Sequence, residues 1–200
     1  SYDRLMQQMV GAWRAAWGSQ LPFYFVQIAP FTYNNKAPLA ALLREQQEKT
    51  ARTLSNSGMV VISDLVDNIK DIHPIQKRAV ADRLATLALQ EHYKLPAKRN
   101  YKSPIYKSHT VKGNQIEISF DHLDGKLQVK GDQVEDLYIA GTDHIFHPAK
   151  GVIRGDKLIV SATEVKNPQA VRFNFTEAGI ANLFNDQGLP VAPFRTDNWL

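Results

Sequence analysis

The 200-residue chain has no cysteine. Disulfides and thiolate chemistry, catalytic or metal-binding, are therefore excluded, although this fixes no compartment. No apolar run approaches the roughly 18 to 20 residues of a membrane span. No signal-peptide pattern opens the sequence, but the chain starts inside a helical pattern, so that second absence carries no weight. A dominant charge is missing too. Lys and Arg number 24 against 20 Asp and Glu, and the net charge of +4 is scattered. Nucleic-acid binders gather their basic residues on one face, so this balance reads as a solvated surface with no nucleic-acid partner. The hydrophobic fraction of 44% supports a real core, in one large domain or two small ones.

Present instead is a stretch around which the rest can be ordered. Met59-Val60-Val61-Ile62-Ser63 follows the turn signal Asn56-Ser57-Gly58 and reads as a strand buried on both faces. A loop leads to Asp71-Ile72-His73-Pro74. Proline keeps the preceding residue out of the helical region but fits a first helical turn. The pattern thus predicts a helix over 74–92, with His73 at its mouth, beyond the carboxyl end of a strand. Ligands bind there in open α/β sheets.

Upstream, residues 2–17 predict an amphipathic helix with Leu5, Met6, Met9, Val10, Trp13 and Trp17 on one stripe, ended by Gly18. Residues 21–29, between Pro22 and Pro30, predict a buried strand. A loop with an Asn-Asn turn at 34–35 follows, then a helix over 37–54. The alternation α, β, α, β, α predicts a parallel sheet. Two strands are too few to cover a core, so residues 1–94 read as the second half of a doubly wound α/β domain. Residues 95–106, rich in Pro and Lys, read as a linker. Beyond them, short strands at 115–120, 137–140, 157–161 and 170–175 alternate with Gly-Asn, Asp-Gly and Gly-Asp turns. Residues 107–200 thus predict a mainly antiparallel β-sandwich, with the apolar tail from 182 packed on its surface.

Several segments stand in a telling order: Trp13-Arg14, Trp17-Gly18, Leu21-Pro22-Phe23-Tyr24-Phe25-Val26-Gln27, Leu43-Arg44-Glu45-Gln46, Asp71-Ile72-His73-Pro74 with Lys77, Gly188-Leu189-Pro190 and Pro193-Phe194-Arg195-Thr196-Asp197. In this the chain resembles the sialate O-acetylesterases, carbohydrate esterases of the SGNH-hydrolase class. The resemblance runs along essentially the whole chain. It implies hydrolysis of O-acetyl esters of sialic acid by serine–histidine acyl transfer, no cofactor, an acetylated sugar as partner, and a secreted or periplasmic location. The family's Gly-Gln-Ser-Asn and Gln-Gly-Glu-Ser-Asn blocks are not in this sequence. The implied nucleophile and most of the oxyanion hole would then belong to a missing N-terminal segment, and this chain alone would be inactive.

In that frame His73 is the general base. Asp71 is the nearest carboxylate to orient it, with Asp64 and Asp67 within loop reach. The alternative role of Asp71 is to cap the following helix. Arg44 and Gln27 are the candidate substrate-binding residues: a guanidinium suits a sialate carboxylate, and a polar residue in so apolar a strand needs a partner. The structural reading of Arg44, which the residues favour, is that it ties its helix to a loop near the site. His144-Ile-Phe-His147 invites a metal reading, but Pro148 and the β context oppose a shared helical face, so no metal is assigned. Trp199 reads as a packing anchor or a sugar-stacking platform. The functional alternatives are a non-catalytic carbohydrate- or partner-binding module and an acetyl esterase of plant polysaccharide.

Overall fold

The computed structural model describes residues 1–33, 37–96 and 99–199. The Asn-Asn turn at 34–35 and Lys98 of the linker lie outside them. Helix α1 (Tyr2–Trp17) ends at Gly18, whose φ of 58° is the left-handed cap that glycine adopts without strain. Strand β1 (Phe23–Val26), helix α2 (Leu39–Thr53), strand β2 (Ser57–Val60) and helix α3 (Lys77–Glu91) follow. β1 and β2 pair in parallel, Phe23 opposite Ser57 and Val26 opposite Val60. The parallel sheet has these two strands among the described residues.

Helix α3 packs on the pair through Leu84 and Leu87, which meet Tyr24, Val26, Val60 and Ile62. Gly58 makes that approach possible: a Cβ there would stand 2.8 Å from a methyl carbon of Leu87. Helix α2 buries Ala40, Ala41, Arg44, Gln47 and Thr50. The side chain of Gln47 accepts from the Ile28 N–H just past β1. The buried arginine Arg14 donates to the carbonyls of Leu21, Ser55 and Asn56, so one guanidinium holds the turns that lead into both strands.

Three local expectations are corrected here. The second strand begins at Ser57, earlier than Met59, and Val61 to Ser63 continue as a buried segment outside the ladder. Helix α3 begins at Lys77, because the chain bends at Ile75, with Lys77 N–H donating to the Ile75 carbonyl. The apolar stripe of α1 divides. Met6 and Val10 face inward with Asp3 and Arg14, while Leu5, Met9, Trp13 and Trp17 are exposed. The apolar arc is wider than the seam that buries it.

The second portion holds nine strands: β3 (Ile105–Lys112), β4 (Gln115–Asp121), β5 (Leu127–Val129), β6 (Leu137–Ala140), β7 (Phe146–Pro148), β8 (Lys150–Arg154), β9 (Lys157–Ser161), β10 (Ala170–Phe173) and β11 (Leu183–Asn185), and it closes with β12 (Phe194–Arg195) as the tenth. Two antiparallel four-stranded sheets, ordered β3-β4-β9-β8 and β12-β10-β6-β7, face each other, and β5 pairs with β11. Ile116, Ile118, Leu158 and Val160 from one sheet meet Leu137, Ile139, Val171, Phe173 and Phe194 from the other. The period-two alternation of β4 is the sequence cause of this β-sandwich core. The tail does not lie on the surface as expected. Leu183, Phe184, Val191 and Phe194 are core residues.

Of the proline-rich segment 95–106, the described residues 99–106 are also packed. Asn185, fully buried, donates to the carbonyls of Asn100 and Lys102 and accepts from the N–H groups of Gln187 and Leu189. Asn185→Ala orphans four main-chain groups, and we expect a loss of about 2 kcal/mol. In thermal unfolding that is a midpoint fall of about 5 °C. An unchanged midpoint would mean water replaces the amide without cost.

The two portions are joined by specific bonds. Glu45 of α2 makes a two-pronged pair with Arg195 at 2.7 and 3.0 Å. Ala40 N–H donates to the Glu177 carboxylate, Phe31 N–H to the Glu177 carbonyl, and Ala181 N–H to the Ser63 carbonyl. Val61, Ile105 and Ala192 form a small shared core between them.

Candidate active site

The loop beyond β2 is held from beneath. Leu65 and Val66 are buried, and Asp64 receives both arms of the Arg83 guanidinium of α3 at 2.7 Å, while the same arginine donates to the Val61 carbonyl. Asp64 is therefore committed to α3 and turned from His73. Thr32 N–H donates to the Ile69 carbonyl at 2.8 Å, tying the loop after β1 to the loop after β2. Arg83 was not singled out in the sequence; an acid directly after a buried apolar run was the available signal that a cation had to meet it.

At the loop's outer end the Asp71 carboxylate accepts the His73 main-chain N–H at 2.9 Å and faces His73 Nδ1 at 3.3 Å. Asp71 thus caps its own turn. It does not cap the helix, which begins six residues later. The His73 N–H and ring, with Lys77 nearby, hold its carboxyl below the usual carboxylate range. With Nδ1 turned to Asp71, the Nε2 side of the ring points away from that contact. The His73 side chain is 82% exposed. Among the described residues it makes no hydrogen bond to a serine. What the arrangement can do is accept a proton at Nε2 and stabilise the resulting cation through Asp71.

Gln27 and Arg44 lie deeper. Gln27 continues the ladder by donating its N–H to the Val60 carbonyl. Its side-chain amide donates to the Arg44 carbonyl, and Oε1 has no protein partner. The Arg44 guanidinium donates to the carbonyls of Thr176 and Glu177. Burial lowers its pKa to about 10, a shift that the nearby Glu177 carboxylate only partly opposes. Both residues are 1% exposed, so as they stand a sugar at the surface does not touch them. The structure brings His73 and Asp71 together, and Gln27 and Arg44 together, as two separate pairs.

His144 stacks flat on Trp199, ring centres 3.7 Å apart, while His147 lies in β7. Trp199 thereby serves as an anchor for the chain's last turn. No group of three or more His, Cys, Asp or Glu that could hold a metal occurs among the described residues, and no described helix is long and apolar enough to cross a membrane.

No protein-family model matches the chain, and no curated protein matches it. Among solved structures, the chain is similar to the crystal structure of a carbohydrate acetylesterase from Xanthomonas citri, at 40% sequence identity and a TM-score of 0.91. The match covers 99% of this chain and 46% of that one, so the chain spans about half the length of that relative.

Proposed function

We propose that this chain is the part of a carbohydrate acetylesterase that carries the general base. The observation that supports it most is the Asp71–His73 contact on an exposed loop beyond the carboxyl end of β2, in a chain alike over 99% of its length to an acetylesterase. His73 Nε2 takes the hydroxyl proton of a serine as that serine attacks the acetyl carbonyl. It returns the proton to the departing sugar oxygen, and a water repeats the cycle to release acetate. Asp71, already engaged at Nδ1, orients the ring.

The serine and the oxyanion hole belong, in this proposal, to a segment outside this chain. That segment also extends the parallel sheet into a doubly wound domain of the SGNH type. The exposed Leu5, Met9, Trp13 and Trp17 on α1, with Trp13 edge-on to Phe23 of β1, support a covered face there. O-acetyl sialic acid is the proposed substrate, from the order of motifs that resembles the sialate O-acetylesterases, and export to the cell exterior or periplasm is part of the same reading. Gln27 and Arg44 are assigned to the floor under the loops.

The test is acetate release. This 200-residue chain alone is expected to give no turnover of an aryl acetate above buffer. Joined to a serine-bearing segment, it is expected to release acetate from O-acetylated sialic acid faster than from acetylated xylan. Turnover by the chain alone that is abolished by His73→Ala would place the nucleophile within these residues and overturn the division of labour.

A further inference from the structure

Along the outer edge of β2 lies a cavity of about 360 Å³, within the roughly 300–1,000 Å³ of small-molecule sites. It reaches Ala51 of α2, Leu87 of α3 and Ser103 and Ile105 of the second portion. It therefore sits at the junction of the two portions, where such sites gather. Ser57 to Met59 line it from the start of β2, whereas His73 stands beyond that strand's carboxyl end. Neither Asp71 nor His73 lines it, so it is separate from the candidate active site.

The floor is aliphatic, formed by Met59, Val61, Leu87 and Ile105. One wall carries an unused main-chain donor and acceptor. Phe23 N–H donates to the Asn56 carbonyl and Gln27 N–H to the Val60 carbonyl. By the alternation of a parallel ladder, the Met59 main chain then faces away from β1, and no described strand pairs with β2 on that side. The next outward carbonyl, that of Val61, is taken by Arg83. So short a free edge does not seat an added peptide strand, which binds through a row of main-chain bonds.

The charges on the rim cancel. Arg52 Nε donates to Glu48 Oε1 at 2.9 Å, and its guanidinium stands 3.6 Å from Asp121. Lys102 is paired with Glu91 at 2.7 Å. An ionic ligand finds no uncompensated partner here. Glu48 Oε2 is left without a donor among the described residues, and burial outweighs Arg52 in holding the Glu48 carboxyl above the usual carboxylate range. A ligand group that donates to it is favoured. The Ser103 hydroxyl and the His122 ring complete the polar lining.

We propose that this junction cavity binds a neutral hexopyranose, with a C–H face of the ring on the aliphatic floor and hydroxyls on Glu48 Oε2, the Met59 main chain and Ser103. A hydroxyl both donates and accepts, which a wall mixing carboxylate, N–H and C=O requires. Because α2, β2 and the 103–105 segment all touch the bound sugar, it clamps the two portions together.

The experiment titrates the methyl glycosides of glucose, galactose and mannose into this chain by calorimetry. At least one is expected to bind saturably and one-to-one, with a Kd of about 1 mM or tighter. Ala51→Phe, which puts a ring into the cavity, is expected to abolish binding while the chain still unfolds cooperatively. Glu48→Gln keeps the side-chain shape, removes a charge-assisted hydrogen bond and should weaken binding about tenfold. It carries the test should the phenylalanine variant fail to fold. If none of the three glycosides binds the parent chain, the proposal falls. Binding undiminished in Glu48→Gln, or in a folded Ala51→Phe chain, would place the sugar elsewhere and overturn it equally.

Discussion

His73→Ala, introduced into the serine-bearing esterase, is expected to lower acetate turnover by about 10²- to 10⁴-fold, the usual contribution of a positioned general base. The loss should fall on kcat more than on KM, because the exposed ring has no described contact beyond Asp71. Asp71→Ala should cost less. Asp71 remains ionised through the range in which an imidazole changes charge, since the His73 N–H holds its carboxyl low. Its removal loosens the turn and the ring together, yet leaves a base in place. Turnover of the two variants on the same acetylated sugar separates the roles. Equal losses would make Asp71 as necessary as the base, and a His73→Ala enzyme with parental turnover would end the catalytic assignment.

Arg44→Ala is the second large effect, and it acts on stability. The guanidinium is fully enclosed and bridges α2 to the carbonyls of Thr176 and Glu177. Two terms oppose each other. Burying a charge is costly even with the Glu177 carboxylate nearby, and burial is the main cause that lowers its pKa to about 10; removal relieves that cost. Against it stand the orphaned Thr176 carbonyl, since that of Glu177 keeps the Phe31 N–H, and the cavity left by a long side chain. The second pair wins, because the alanine supplies neither donors nor volume. We expect a loss of about 4 kcal/mol, a midpoint fall of about 10 °C. Arg44→Lys should recover only part, since an ammonium lacks the fork. A fall under about 2 °C for the alanine variant would show that the charge penalty had cancelled the bonds.

These residues also mark what could be read from the sequence alone. The bounds of α1 and of β6 and β9 were legible because a glycine stands beside one end of each apolar run, Gly18, Gly141 and Gly155. The contact of Asp71 with His73 was legible as one of three possibilities, because a spacing of two lets a carboxylate reach back to its own turn. The partners of Arg44 were not. They are main-chain carbonyls 132 and 133 positions away, and a carbonyl leaves no trace in residue type. The start of α3 was misplaced because Pro74 fits a first helical turn but also fits the approach to the bend at Ile75 that the chain adopts. Strands of two or three residues, such as β7, β11 and β12, are too short to show a period. They are held by neighbours distant in sequence, so the tail looked like a surface wrapping when it completes a sheet.

That late strand sets the order in which the molecule can form. β12 lies beside β10, Phe194 sits in the sandwich core, and Arg195 reaches back 150 positions to Glu45. During synthesis, β3 and β4 can zip together as soon as they emerge, but the opposing sheet lacks its outer strand until residues 194–195 have left the ribosome. Folding dominated by such distant pairings is slow. Until then the edge of β10 is unpaired and the core lacks Phe194, which leaves an aggregation-prone edge open over that interval.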